Sequence, residues 1–95
     1  VTRDEIYRWQ GLMFIYSCWL YDNELETVFS DPEFDSFCAD LHGMYDDLPF
    51  DMQDRIDIGN LRAGTSLGMT YLEEDAVGAI AWFEQVRGRS PEKET

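Results

Sequence analysis

SDPEFDSFCADLHGMYDDLP, residues 30–49, carries two superimposed patterns. Phe34, Phe37, Cys38, Leu41, Tyr45 and Leu48 recur at intervals of three and four, the spacing that lines one side of a helix. Ser30 and Glu33 make the Ser-x-x-Glu signature of a helix start, Pro32 is tolerated in a first turn, and Pro49 closes the element. Between the apolar positions stand Asp31, Glu33, Asp35, Asp40, Asp46 and Asp47, without a single Lys or Arg. The stretch therefore predicts an amphipathic helix backed by a wall of carboxylates.

The same period extends to both sides. Thr2 and Glu5 give a capping-box signature, after which Ile6, Trp9, Met13, Tyr16 and Leu20 mark one face of a helix from about Arg3 to Tyr21. Tyr7, Phe14, Cys18 and Tyr21 mark another, so this helix is expected to pack on two faces or to offer one to a partner. Residues 23–29 suggest a short helix with Leu25, Val28 and Phe29 turned inward, and residues 50–56 an irregular lead-in. Ile58, Leu61, Leu67, Tyr71 and Leu72 predict a helix over 57–72, in which Gly64 and Gly68 mark a close approach of another helix or a bend. Glu73, Glu74 and Asp75 suit the start of a last helix, Val77, Ile80, Ala81 and Phe83 its inner side, and Arg87 and Gly88 its end. No strand-like alternation competes, so the expected fold is all-α: a compact single-domain bundle of four to five helices over residues 1–89, with a polar tail at 90–95.

Ninety-five residues suit one domain with a modest core and little room for a large catalytic cleft. Apolar content of 44% argues for a folded body despite a net charge of −13. That charge opposes direct binding to nucleic acid or to an anionic membrane, since each phosphate contact needs a Lys or Arg and the chain has seven. It attracts basic proteins, within a Debye length of roughly 8 Å at physiological salt. Cys18 and Cys38 lie among apolar residues, and the first ten residues lack the blocks of a secretory signal, so reduced thiols and a cytoplasmic location are expected. The apolar run Leu12–Tyr21 is about half the ~20 residues of a membrane span.

Residues 64–91 resemble one tetratricopeptide unit: Leu67, Gly68 and Tyr71 fit its first helix, Ala79 and Phe83 its second, and Pro91 its close. Gly64 stands where that family has tryptophan, and the step from Tyr71 to Ala79 is one residue short. Trp9, Leu12, Tyr16 and Phe29 give a fainter second match, 55 residues away, where a regular array would repeat at about 34. The resemblance implies a scaffold that binds a peptide or a helix, and no catalysis.

Asp22 to Glu33 has the length of a calcium loop, but Thr27 occupies the place of its obligatory glycine and two Glu replace shorter ligands. Asp40 and the single histidine, His42, point in different directions on a helix, so they do not suit a shared metal. Neither cysteine has a basic neighbour in sequence, and no glycine run ends in Lys-Ser/Thr. A binding protein without cofactor or metal, and not an enzyme, is expected.

From Asp22 to Asp54 there are eleven acids and no Lys or Arg; all seven basic residues lie outside that window. Such segregation costs stability through self-repulsion. It serves either as a solubilising surface or as a set of carboxylates offered where a basic protein expects phosphates. On the second reading Glu33, Asp35, Asp40, Asp46, Asp47, Asp51 and Asp54 supply charge, and Tyr45, Phe50 and Met52 supply apolar anchors. Nucleic-acid mimics, phage antagonists of host defence and immunity proteins that cap nuclease toxins use this physics, an analogy of charge and size. The alternative is a helical-hairpin adaptor or chaperone that holds a partner helix through Tyr7, Phe14 or Trp82; a homodimer joined through apolar faces is a third arrangement.

Overall fold

Helix α1 (Arg3–Asp22) begins where Thr2, in extended conformation, accepts a hydrogen bond from the Glu5 amide at 3.2 Å, with Asp4 and Glu5 at the positive end of the helix dipole. It ends at Asn23, whose side-chain amide donates to the Trp19 carbonyl at 2.8 Å. The computed structural model describes residues 1–94. Helix α2 (Asp31–Gly43) follows, then a 3₁₀ turn (Tyr45–Asp47) and helices α3 (Phe50–Arg55), α4 (Ile58–Ala63) and α5 (Glu73–Arg87). The fold is an all-α bundle of five helices.

Residues along an α-helix turn by about 100° each, so Phe14, Ile15 and Cys18 share one side of α1 while Trp9, Tyr16 and Leu20 share the other. The first side joins Cys38 and Leu41 of α2, Met52 of α3, Leu61 of α4, and Leu48 and Ile56 in one buried cluster. The second meets α5, where Leu20, Ala79 and Phe83 are buried together with Tyr16, Trp19, Leu25 and Val28 around them. Rings connect the two halves. Trp82 lies 6.5 Å from Trp9, 6.2 Å from Tyr16 and 5.7 Å from Phe29, and Phe29 stacks at 5.1 Å on Phe37 of α2.

Close approach on both sides of α1 rests on a glycine. A Cβ at Gly11 would stand 3.0 Å from Met52 Sδ, and one at Gly78 would stand 2.8 Å from Cε1 of the Tyr16 ring. The two glycines singled out by sequence act differently. Gly64 takes the left-handed conformation (φ 64°) and stops α4, and Gly68 (φ 83°) turns the connection that follows. The helix expected over 57–72 is thus only six residues long. Leu67, Gly68 and Tyr71 lie in an irregular connection, and Ala79 and Phe83 lie on α5. The connection is stitched by buried Asn60, whose side chain donates to the Thr65 and Leu67 carbonyls at 2.9 Å each. It is also tied to α1, since the Ser66 and Tyr71 hydroxyls donate to Asp22 at 2.6 and 2.5 Å.

Three further expectations are corrected. Residues 50–56 are not irregular, because Phe50–Arg55 form α3. Helix α2 stops at Gly43 and the chain reaches Leu48 through the 3₁₀ turn, with the capping box at Ser30 complete in both directions. Residues 23–29 form no helix. They begin in a turn, with Glu24 at φ 57°, and residues 24–26 lie beside 92–94, with a bridge between Leu25 and Lys93 and backbone bonds Glu26 N–H to Glu92 O (2.9 Å) and Glu94 N–H to Glu24 O (2.8 Å). Arg89 fastens this clasp by a two-pronged bond to Glu26.

Inside the bundle, Asp75 is 1% exposed. Both its carboxylate oxygens accept from the Arg55 guanidinium, and Oδ2 also accepts the Leu72 amide at 2.7 Å. The pair joins the end of α3 to the start of α5.

Two outcomes follow for stability. Helix propensity alone favours Gly78→Ala by about 1 kcal/mol, but overpacking against Tyr16 costs about 1–3 kcal/mol, so urea unfolding should show a net loss. In a Tyr16→Leu background the same change should become stabilising. The second concerns pH. The hydrogen bond from Arg89, reinforced by the Glu92 amide, pushes the Glu26 carboxyl down to about 2 from an ordinary 4.5. A carboxyl lowered on folding contributes stability above its unfolded pKa and loses it as pH falls through the folded one. Hydrogen-exchange protection of the Glu26 and Glu94 amides should therefore hold down to about pH 4.5 and fall between there and about 2. Loss already at neutral pH would remove Glu26 as the fastening.

Candidate functional site: an acidic corner at the start of α3

The wall of carboxylates expected on α2 divides in two. By the helical turn of about 100° per residue, Asp31 and Asp35 occupy one edge of the exposed face, Glu33 and Asp40 the other. Ser36, Ala39 and Gly43, small and neutral, form the crest between them. Glu33 is in addition folded back, because its carboxylate accepts the Ser30 amide at 2.8 Å, and that bond lowers its pKa. Its role is to cap the helix.

The acids that do gather lie after α2. Asp46 and Asp47 are exposed on the 3₁₀ turn, and Asp51 and Asp54 are exposed on α3. Tyr45 opens the 3₁₀ turn. Burial raises its phenol pKa first, and the charges of Asp57, Asp54 and Asp46 raise it further. Its hydroxyl lies 2.9 and 2.7 Å from the Gln53 and Ile56 carbonyls, which fixes the turn against α3. A polar cleft of about 620 Å³ opens beside it, lined among others by Tyr45, Gln53, Asp54, Asp57, Asn60 and Met69.

The residues expected to contact a partner thus have different fates. Phe50, at the head of α3, is 83% exposed, on the helix that also carries exposed Asp51 and Asp54. Met52 is 4% exposed and belongs to the main core, packed where Gly11 lets it approach α1, so it is corrected from surface anchor to core residue. Tyr45 is half-buried and held through its hydroxyl, which leaves it a structural part of the corner. Asp51 is paired with Arg8 of α1. Asp35 and Asp40 are exposed on α2, away from this turn. Asp57 escaped the sequence reading because it follows Arg55 and so falls outside the base-free window; it also caps α4 by accepting the Gly59 amide at 2.8 Å.

All the cations but Arg62, which is exposed on α4, make contacts within the fold. Arg8, Arg55 and Arg89 form ion pairs, Arg87 donates to the Val28 carbonyl, Lys93 to that of Asn23, and Arg3 lies over the Tyr7 ring. Burial pushes the Cys18 thiol up, and it pushes Cys38 up to about 11, with Asp35 adding to the effect. Neither is a ready nucleophile. His42 keeps Nε2 enclosed without a hydrogen-bond partner. Among the described residues no three His, Cys, Asp or Glu side chains are placed to hold a metal ion, and no helix is long and apolar enough to cross a membrane. Of the residues on which a groove for a partner helix would draw, Phe14 and Trp82 are 0% and 6% exposed, and Tyr7 is half-buried.

No protein-family model matches the chain, and comparisons with curated proteins and with solved structures give no match.

The different placements of Phe50 and Met52 are measurable. Phe50→Ala should leave stability within about 0.5 kcal/mol of the parent, and Met52→Ala should cost about 2–4 kcal/mol, both read from urea unfolding. Equal losses would move Phe50 into the core.

Proposed function

We propose that this chain is a small acidic binding protein that occupies the nucleic-acid-binding surface of a basic protein and so blocks it. The observation that carries this reading is the acidic corner itself: Asp46, Asp47, Asp54 and Phe50 are all exposed on the 3₁₀ turn and α3, and Asp54 and Asp57 line one cleft with Tyr45. Carboxylates on a rigid helix and turn accept bidentate bonds from arginine in place of a phosphate backbone. Their charge accelerates encounter, and a desolvated aromatic slows release. Phe50 suits the second role. The pairing of Arg8, Arg55 and Arg89 with carboxylates supports the same reading, because it reduces the positive charge that would repel a basic partner or hold nucleic acid. A phage antagonist of a defence component and an immunity protein for a nuclease toxin are the kinds of inhibitor this describes. Catalysis has no part in it, in keeping with the buried thiols and the enclosed imidazole.

The test is a tagged capture from host lysate washed at low and at high salt, followed by competition with DNA or RNA. A basic nucleic-acid-binding protein should be retained at low salt, released at high salt and displaced by nucleic acid. The Asp46→Asn, Asp47→Asn, Asp54→Asn triple variant should bind that protein with a roughly tenfold lower on-rate and a flatter salt dependence. Asp51 is left unchanged because it pairs with Arg8. Unchanged affinity in the triple variant would take the corner out of the mechanism.

A further inference from the structure

A second cleft, of about 350 Å³, opens between the C-terminal half of α1, the 27–31 segment, the first turn of α2 and the 64–66 loop. This volume is at the lower end of the roughly 300–1,000 Å³ of ligand pockets, the scale of one long side chain. Tyr21, Phe29 and Phe34 provide its aromatic walls. Two of these rings are held in place, Phe34 stacked on Phe14 at 5.9 Å and Phe29 on Phe37 at 5.1 Å.

The polar groups of the cleft specify the charge of what could enter. Three of its hydroxyl donors are engaged, Ser17 with the Met13 carbonyl at 2.8 Å, Thr27 with that of Phe29 at 2.7 Å, and Ser66 with Asp22 at 2.6 Å, while Tyr21 and Thr65 keep theirs. The capping box at Ser30 satisfies amides at the start of α2. Asp31 and Asp35 are different. Both are exposed, and the ion pairs of the structure, Arg8–Asp51, Arg55–Asp75 and Arg89–Glu26, include neither. One helical turn apart on the same edge, their Cβ atoms lie about 5–6 Å from each other. Gly64 has no side chain to cover Asp35, since even a Cβ there would stand 3.2 Å from its Oδ1. What the cleft leaves open is two carboxylate acceptors and the Tyr21 and Thr65 hydroxyls, beside aromatic walls.

We propose that this cleft receives an arginine side chain of the partner protein, its guanidinium bridging Asp31 and Asp35 and its methylene stem lying against Phe29 and Phe34. The planar guanidinium satisfies two carboxylates at once and stacks on rings, which the compact ammonium of lysine does less well. The assignment rests on the reading of the partner as a basic protein, and it gives that partner a second point of attachment, separate from the acidic corner.

The probe is N-acetyl-arginine methylamide, titrated into the ¹⁵N-labelled full chain beside its neutral citrulline and its lysine counterparts. Saturable shifts should be confined to the amides of residues 27–35 and 64–66, with half-saturation at least fivefold lower for arginine than for either counterpart. Asp35→Asn, an exposed change that leaves the α2 cap intact, should raise the half-saturation at least fivefold, and Asp31→Asn should act alike. Asp46→Asn with Asp47→Asn should leave it unchanged. Equal response to citrulline, equal response to lysine, shifts spread over all the acids, or no saturable shift would each overturn the assignment. Because the probe replaces the partner, these outcomes judge the cleft alone, and salt-sensitive capture through the acidic corner stands or falls by its own variant.

Discussion

Helix α1 has to bury two opposite faces, and the arrangement of the other elements follows from that. Phe14, Ile15 and Cys18 need one set of neighbours, supplied by α2, α3 and α4; Tyr16 and Leu20 need another, supplied by α5. A helix covered on both sides must be approached closely if a domain this small is to leave no voids. Gly11 gives that clearance from within α1 towards Met52, and Gly78 gives it from within α5 towards Tyr16. The aromatic series from Trp9 through Tyr16, Trp82 and Phe29 to Phe37 then crosses from one cluster to the other. The two halves therefore share side chains and form a single body.

Charge is organised by the same packing. A chain with 20 acids and seven Lys and Arg cannot pair most of its carboxylates, and the fold uses its cations at joints. Arg55 with Asp75 joins α3 to α5, Arg8 with Asp51 joins α1 to α3, and Arg89 with Glu26 fastens the C-terminal segment. A buried pair such as Arg55–Asp75 is a weak source of net stability, because both ions are desolvated, but it penalises any arrangement that separates its members. Most of the other acids are left on the surface, among them Asp46, Asp47, Asp54 and Asp57 on the 3₁₀ turn, α3 and the cap of α4, and Asp31 and Asp35 beside the second cleft. Both places combine carboxylates with aromatic surface, the combination that recognises guanidinium groups.

The candidate site was partly legible in the sequence, and the division has a physical cause. Asp46, Asp47, Phe50 and Asp54 could be found because exposure of charged groups, and of residues just outside an apolar period, follows from the period itself. Met52 could not be placed, since at the head of a six-residue helix the period is too short to separate inside from outside. Asp57 was hidden by Arg55, whose charge closes the acidic run along the chain although its guanidinium turns inward to Asp75. The two edges of α2 and their neutral crest were implicit in the spacing of Glu33, Asp35 and Asp40. The cleft beside Asp31 and Asp35 was not, because residues 17–21, 27–35 and 64–66 line it together.

By itself the sequence determined the all-α class, the spans of α1 and α5, the start of α2 at its Ser30 capping box and the two-faced burial of α1. These depend on contacts within three or four residues and on apolar periods sustained over several turns, which the chain states locally. The tertiary structure alone decided the rest. Residues 23–29 are not helical because the backbone of 24–26 pairs with residues 92–94, and α4 is short because Gly64 turns and Asn60 binds the loop after it. Arg55 turns inward because its carboxylate, Asp75, arrives from a distant segment. Each of those outcomes depends on groups some 20 to 70 positions apart, or on a turn whose geometry outweighs helix propensity, and a local pattern carries no record of such partners.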